Sequence, residues 1–387
     1  MKIISVEAIP YQLPIRRDFR WAGLNVGIGQ FVLVRVHTDE GLVGLGEAVP
    51  LAEWGGDHGR RAGETQTTVV HVVEDLLRPL LLGEDPLDVE RLADAMDVAI
   101  RGHSYAKAAV DIALHDLLGK AAGLPLYQLL GGAYRDVVPI AHMVGLMTVE
   151  DALQEAAAAV ADGVRALQVK GGTDPVRDEA LIRALRERLG EGVLLRLDAN
   201  QGYGDVATAV RVLRRIEAFG LDLAEQPVEG VRQLAQVRAR VQTPIVADES
   251  CWDAADALEC VELQAADAIS IYIAKAGGIC GARKLAAVAE AASIPCDVNG
   301  SIESGIGNAA NLHFALATPA VRLPCVLPVS APDGAAPLAT AGHYYEDDVV
   351  TQPFPVADGA LLPIKGPGLG VELDEEKLER FRVDLRS

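Results

Sequence analysis

The chain has 387 residues, half of them hydrophobic and only 4% aromatic, so it can bury a full aliphatic, alanine-rich core in one large or two ordinary domains. Its 35 Lys and Arg against 55 Asp and Glu give a net charge of −20, which disfavours nucleic acid and anionic membrane as partners. No run of about 18 apolar residues occurs, MKIISVEAIP lacks the marks of a signal peptide, and the cysteines Cys251, Cys260, Cys280, Cys296 and Cys325 never stand as C-x-x-C, so a cytoplasmic protein with reduced thiols is expected.

In chain order, the first 50 residues read as β, with FVLVRVHTDEGLVGLGEA forming two strands around an Asp-Glu-Gly turn. From Glu64 to about Gly131 the pattern is helical. SYAKAAVDIALHDLLGK sets Ala109, Ile112, Ala113 and Leu117 on one face. After YQLLGGAYRD, short apolar strands alternate with Ala/Arg/Glu-rich helical stretches. The strands are VVPIAHMVG, ALQVK, LLRLDAN, LDLAEQP, PIVADES, AISIYIAK, IPCDVNG and CVLPV. This alternation predicts parallel β-α-β crossovers closed into a barrel. A doubly wound open sheet is the rival, but no G-x-G-x-x-G follows an early strand.

Polar residues recur at the C-terminal ends of these strands: Lys170, Asp198 with Asn200, Glu225, Asp248 with Glu249, Lys275, then Asn299 through Glu303. Each step is about one strand-helix unit, so in a parallel barrel these side chains converge on one rim, where such barrels carry their sites. Charged groups ending apolar strands are costly unless paired or coordinated. Three carboxylates on adjacent strands suit a hard cation such as Mg²⁺, with Mn²⁺ as a substitute. A flanking lysine, its pKa lowered by burial and a nearby cation, would take a proton next to a carboxylate while the metal stabilises the resulting enediolate. The bland alternatives are helix capping or surface polarity for the acids, and structural salt bridges for the lysines.

The motifs VK-GG, LDAN, EQP, ADES and K-x-GG, in this order and spacing, resemble the enolase superfamily in its mandelate racemase/muconate-lactonizing subgroup, over nearly the whole chain. The resemblance implies a (β/α)7β barrel over residues 132–355. It also implies an α+β capping domain over 1–131, to which a tail at 356–387 returns. By motif match it implies Asp198, Glu225 and Asp248 as metal ligands, and Lys170 and Lys275 as bases on opposite faces of the substrate. Gln168, Asn200, Glu249 and Glu303 would stand near metal or substrate, and Trp21 and Trp54 would lie in loops closing over the barrel mouth. The implied reaction is Mg²⁺-dependent abstraction of the proton α to a carboxylate, as a racemase, epimerase or cycloisomerase of a small carboxylic acid. Dehydration of a hydroxy acid or hydroxyproline-like substrate is the alternative, and a non-catalytic carboxylate-binding protein is the rival of another class. A homo-oligomer is expected. Two departures stand out. Gln168 replaces the first lysine of the family's usual Lys-x-Lys, and CVLPVSAPDG lacks the Asp-x-Asp of dipeptide epimerases, which argues against dipeptide substrates.

Overall fold

A computed structural model describes residues 1–24, 27–300, 302–327 and 338–385. Its N-terminal unit is an antiparallel sheet in the order β1 (Ile3–Gln12), β2 (Gln30–Thr38), β3 (Val43–Ala48). Strand alternation divides β2 between two cores. Phe31 and Leu33 join the barrel's core, whereas Val32, Val34 and Val36 join a second core built with the helices that follow. Those helices are α1 (Gln66–His71), α2 (Arg78–Leu81), α3 (Val89–Ala99), α4 (Ser104–Ala122) and α5 (Leu126–Leu129). Thr65 starts α1 with a capping box, and Gly123, at φ 67°, ends α4. Helix α4 lies directly on β3, an approach that Gly44 and Gly46 permit. A Cβ there would stand 2.2 Å from Ala113 O or 1.9 Å from Ala109 O.

The chain then enters β4 (Val138–Pro139) and the barrel strands. These are β5 (Ala141–Val144), β6 (Ala166–Lys170), β7 (Leu194–Asp198), β8 (Leu223–Glu225), β9 (Ile245–Ala247), β10 (Ala268–Ile271) and β11 (Cys296–Val298). All seven pair in parallel in sequence order. The returning helices are α6 (Val149–Ala161), α7 (Pro175–Leu189), α8 (Val206–Ile216), α9 (Val231–Arg238), α10 (Ala254–Glu262), α11 (Ile279–Ala291) and α12 (Gly305–Ala317). Asp or Thr caps open α6, α7, α8 and α10, fixing where each helix leaves its strand-end loop. The faces they bury are rich in alanine, as in Ala152, Ala156 and Ala159 of α6, so helix and strand backbones pack closely.

The eighth strand expected at CVLPV is reduced to isolated bridges in the described residues. Ala141 N donates to Cys325 O, Cys325 N to Pro139 O and Val326 N to Val298 O, and these bonds close the barrel between β11 and β5. Pro324 and Pro328 flank this segment and supply no N–H to a longer ladder. The result is a (β/α)7β barrel with an N-terminal α+β unit packed on it. Beyond it, β12 (Val356–Ala357) and β13 (Ala360–Leu361) pair with β4, and α13 (Glu375–Phe381) packs near β1. Leu369 N in this tail donates to Asp116 of α4, which also accepts from Leu45 N of β3. No helix among the described residues is long and apolar enough to cross a membrane.

Candidate active site

The register of the parallel ladder assembles the site. Lys170 is paired with Asp198, and Asp198 with Glu225, so three strand ends sit side by side at the C-terminal rim. Asp248 follows β9 directly and Lys275 follows β10. Lys170 Nζ donates to Asp198 Oδ2 at 2.5 Å and to Asn200 Oδ1 at 3.1 Å. Lys275 Nζ donates to Asp248 Oδ1 at 2.5 Å, Asp248 O at 2.9 Å and Ser270 O at 2.9 Å. Both lysines and all three carboxylates are buried. Gly171 and Gly172 serve this packing. Gly172 has φ 90°, and a Cβ on it would lie 2.2 Å from Ala199 O, in the turn that carries Asn200.

Gln168 lies beneath this layer. Its Nε2 donates to Asp198 Oδ2 at 3.0 Å and to Glu225 Oε2 at 2.8 Å, bracketing two of the three carboxylates. Arg196, two residues before Asp198 and fully buried, donates to Glu225 Oε2 at 3.0 Å and to Asp297 Oδ2 at 2.6 Å. In the EQP motif, Gln226 is satisfied on both ends: its oxygen accepts from Asp248 N and Ser250 N, and its amide donates to Val228 O and Ser250 Oγ. That pins the Asp248 loop to the end of β8. Asn200, at φ 41°, donates to Glu249 Oε1 at 3.0 Å, so the LDAN and ADES turns are tied together.

Crowding shows in the acid–base balance. Burial, then Asp198 and Asp248, hold Glu225 well above the ordinary carboxylate range, although Arg196 pulls it down. Burial raises Asp248 despite Lys275, and burial with Asp248 and Asp198 pushes Glu249 up to about 8. For Lys170, burial pulls downward, but Asp198 and Glu225 outweigh it and the net direction is upward. Among the described residues Glu225 Oε1 and Glu249 Oε2 are buried acceptors without a hydrogen-bond partner. Carboxylate oxygens raised by burial and then by one another, two of them unsatisfied, are donors of the kind a divalent cation with an oxygen-ligand preference takes.

A small cavity opens over this layer, walled by Lys170, Asn200, Trp21, Trp54, Tyr272 and Asn299 among others. Trp21 places its ring 5.5 Å from Lys170 Nζ, and Trp54 places its ring 5.7 Å from Lys275 Nζ. Trp54 also stacks on Trp252 and Tyr272, at 5.0 and 5.1 Å. Glu303 is buried but is not part of this wall, which is formed on its side by Asn299, Gly300 and Ile302. The other ten residues singled out in the sequence gather around the rim. Arg196, Tyr272, Met143 and Leu51 were not singled out, and Asn299 stood only as one of the strand-end polar residues. For Arg196 the signal was available, since strand alternation puts it on the face of Asp198. His142, unassigned from sequence, packs away from this rim. It pairs with Glu155 at 2.8 Å, accepts from Gly342 N at 3.0 Å and stacks on Tyr344.

The family model for the mandelate racemase/muconate lactonizing enzyme N-terminal domain matches residues 3–131, and the enolase C-terminal domain-like model matches residues 151–377. The chain belongs to the enolase superfamily. Within it, this enzyme is 31% identical over 385 residues to the N-succinyl-L-Arg/Lys racemase of Bacillus cereus, covering 99% of this chain and 98% of that one. It is 33% identical over 387 residues to muconate cycloisomerase 1 of Rhodococcus opacus, covering 98% of each. The solved structure of the Bacillus cereus racemase superposes with a TM-score of 0.90 at 30% identity, covering 99% of both chains. Members of this family are divalent-metal dependent, typically on Mg²⁺.

Proposed function

We propose that this enzyme removes the proton α to the carboxylate of a small organic acid, with Lys170 and Lys275 addressing opposite faces of the α-carbon. The observation that carries the reading is the arrangement of two buried lysines on β6 and after β10, flanking Asp198, Glu225 and Asp248 on the strands between them. Asp198, Glu225 and Asp248 would hold Mg²⁺, or Mn²⁺ in its place, and the ion when bound supplies the positive charge that makes the α-proton acidic enough to leave. Lys170, the only charged side chain among the described residues of the cavity wall, is the group positioned to take the proton. Asn200 fixes its ammonium by accepting one N–H, and the indole of Trp21 limits water beside it. Lys275 would return or remove a proton on the other face. Racemisation or epimerisation needs both bases. Relatives named as racemases, epimerases and muconate cycloisomerases support isomerase chemistry.

One observation favours a second reading in which a single base acts. All three N–H bonds of Lys275 are taken by protein oxygens, which suits a fixed ammonium that stabilises negative charge on the substrate. Cycloisomerisation, or β-elimination from a hydroxy acid, would follow from that arrangement.

The test is α-proton exchange, followed by NMR, for a panel of chiral carboxylates in D₂O with Mg²⁺. Two-base chemistry predicts exchange from both enantiomers with inversion, and one-base chemistry predicts exchange from one enantiomer only. Metal-independent exchange, or exchange undiminished in Lys170→Ala/Lys275→Ala, would sink the mechanism. A non-catalytic carboxylate-binding protein predicts binding of acids without exchange.

A further inference from the structure

The cavity has one built polar feature that the proton-transfer reading leaves unused. Asn299 follows β11 directly, and its N–H donates to Ile271 O at 3.0 Å, continuing the strand ladder. Its side-chain Oδ1 accepts from Gly300 N at 2.9 Å, which identifies the other end of the amide as the Nδ2 donor. That Nδ2 is buried and has no partner among the described residues, in a residue 2% exposed that lines the cavity. A buried amide donor without an acceptor is costly, so the group is most stable when a bound molecule supplies one.

Its place in the barrel says which part of a substrate it meets. The three carboxylates lie on β7, β8 and just after β9, whereas Asn299 lies beyond β10, on the other side of Lys275. Met143, Leu51 and Ile302 supply apolar surface to the same wall. Ile302 is itself a β-branched residue at φ 63°, a strained backbone geometry held by Tyr345 OH donating to Ile302 O at 2.6 Å. A strained turn kept in place beside an unpartnered donor is consistent with a shaped contact surface.

We infer that Asn299 is a specificity-determining residue whose side-chain amide donates to a carbonyl or hydroxyl oxygen on the part of the substrate beyond its α-carbon. This rests on the reading that the substrate carboxylate lies towards Asp198, Glu225 and Asp248. The substrate class it defines is a compact monocarboxylate whose remainder is uncharged and carries one hydrogen-bond acceptor. A distal cation would meet no opposite charge in the described wall, and a second carboxylate would find only Lys170, the proposed base.

The test compares matched probes on the Mg²⁺-loaded full-length enzyme by calorimetry. One pair is N-acetylalanine against the branched alkanoate that replaces its amide by hydrocarbon, and the other is β-hydroxybutyrate against isovalerate. The wild type should bind the oxygen-bearing member of at least one pair about tenfold more tightly, and the pair that responds tells carbonyl from hydroxyl. Asn299→Leu, which removes the donor, and Asn299→Asp, which keeps the acceptor for Gly300 N, should both erase that preference. Wild-type indifference to both pairs, or a preference that survives in Asn299→Leu, overturns the inference. Mn²⁺ binding, titrated separately, should be unchanged in both variants. Its absence from the wild type would refute the metal-site reading while the probe comparison still decides the role of Asn299.

Discussion

Lys170 and Lys275 stand on either side of the same three carboxylates, yet their surroundings differ. Lys170 faces the cavity, has two protein acceptors and shares Asp198 Oδ2 with Gln168. Lys275 lies outside the cavity wall, has three acceptors and is covered by the Trp54–Tyr272 pair. The ammonium of Lys170 opens onto the cavity, and that of Lys275 is saturated by protein acceptors. Burial alone therefore does not distinguish a base from a structural cation; the count of acceptors and the access of the ammonium do.

The largest expected effect tests that difference directly. Lys170→Ala should lower α-proton exchange by about 10²- to 10⁴-fold, the range for a lost general base, and destabilise less than Lys275→Ala because Asp198 keeps Gln168 Nε2 and Asn200 N as donors. Lys275→Ala should, in addition to any loss of exchange, destabilise the chain by about 3–5 kcal/mol, because Asp248 is left as an uncompensated buried charge. Exchange kinetics and urea unfolding on the two variants measure both quantities. Equal destabilisation by the two substitutions would break the comparison.

Next in size is the metal. Glu225, bracketed by Gln168 and Arg196 with Oε1 unpartnered among the described residues, is a proposed ligand between the two lysines. Glu225→Gln should weaken Mn²⁺ binding by at least about 100-fold in an EPR titration. Glu249→Gln, which alters a neighbour tied to Asn200 and Trp54, should cost about 10-fold. A larger loss from Glu249→Gln would move the third ligand to the Lys275 side.

The uneven legibility of this site in the sequence has a physical origin. Strand-end residues repeat once per β-α unit and alternate in facing, so the sequence alone aligns Lys170, Asp198, Glu225, Asp248 and Lys275 on one rim. Trp21 and Trp54 come from the N-terminal unit, and only their resemblance-derived placement brought them to the mouth. Tyr272 carries no periodic signal and is recognised by the ring it stacks on, whereas Asn299 belongs to the strand-end series but is marked out there only by its unsatisfied amide. The eighth strand is visible only in part, since Cys325 and Val326 bond to the flanking segments while the end of CVLPV lies outside the described residues. The expected departure from Asp-x-Asp falls largely on residues 328–337, which lie outside the described residues.

A smaller, pH-dependent effect separates the two sides through Gln168. Two donors on one Asp198 oxygen lie within ~5.5 Å of each other, where a second ammonium would repel the first by roughly 2–3 kcal/mol at an effective dielectric of ~20, before screening. Carboxylates hold the Lys170 pKa up, which favours its protonated form and opposes its use as a base. Adding a cation beside it disfavours that form. Gln168→Lys should therefore move the rising limb of the exchange profile to lower pH by about 1 unit, the electrostatic term reduced by screening. The step assigned to Lys275 should keep its pH dependence. An unchanged profile would return Gln168 to a bracketing role only.

The smallest effect concerns the two tryptophans, which contact the two lysines at nearly the same distance. Trp54 is packed between Trp252 and Tyr272 and also stands 3.5 Å from Glu249 Oε1, so its ring is part of an aromatic row. Trp21 has no such row; it faces Lys170 across the cavity mouth. Trp54→Phe should retain most stacking, and Trp54→Ala should cost about 1–3 kcal/mol of stability from two lost ring pairs. Trp21→Ala should change stability little and instead raise KM a few-fold, because it loosens the wall beside the base. Thermal unfolding and steady-state exchange kinetics on the two alanine variants read these out. If Trp21→Ala destabilised as much as Trp54→Ala, the Lys170 side would be scaffold too, and the asymmetry between the two lysines would rest on acceptor count alone.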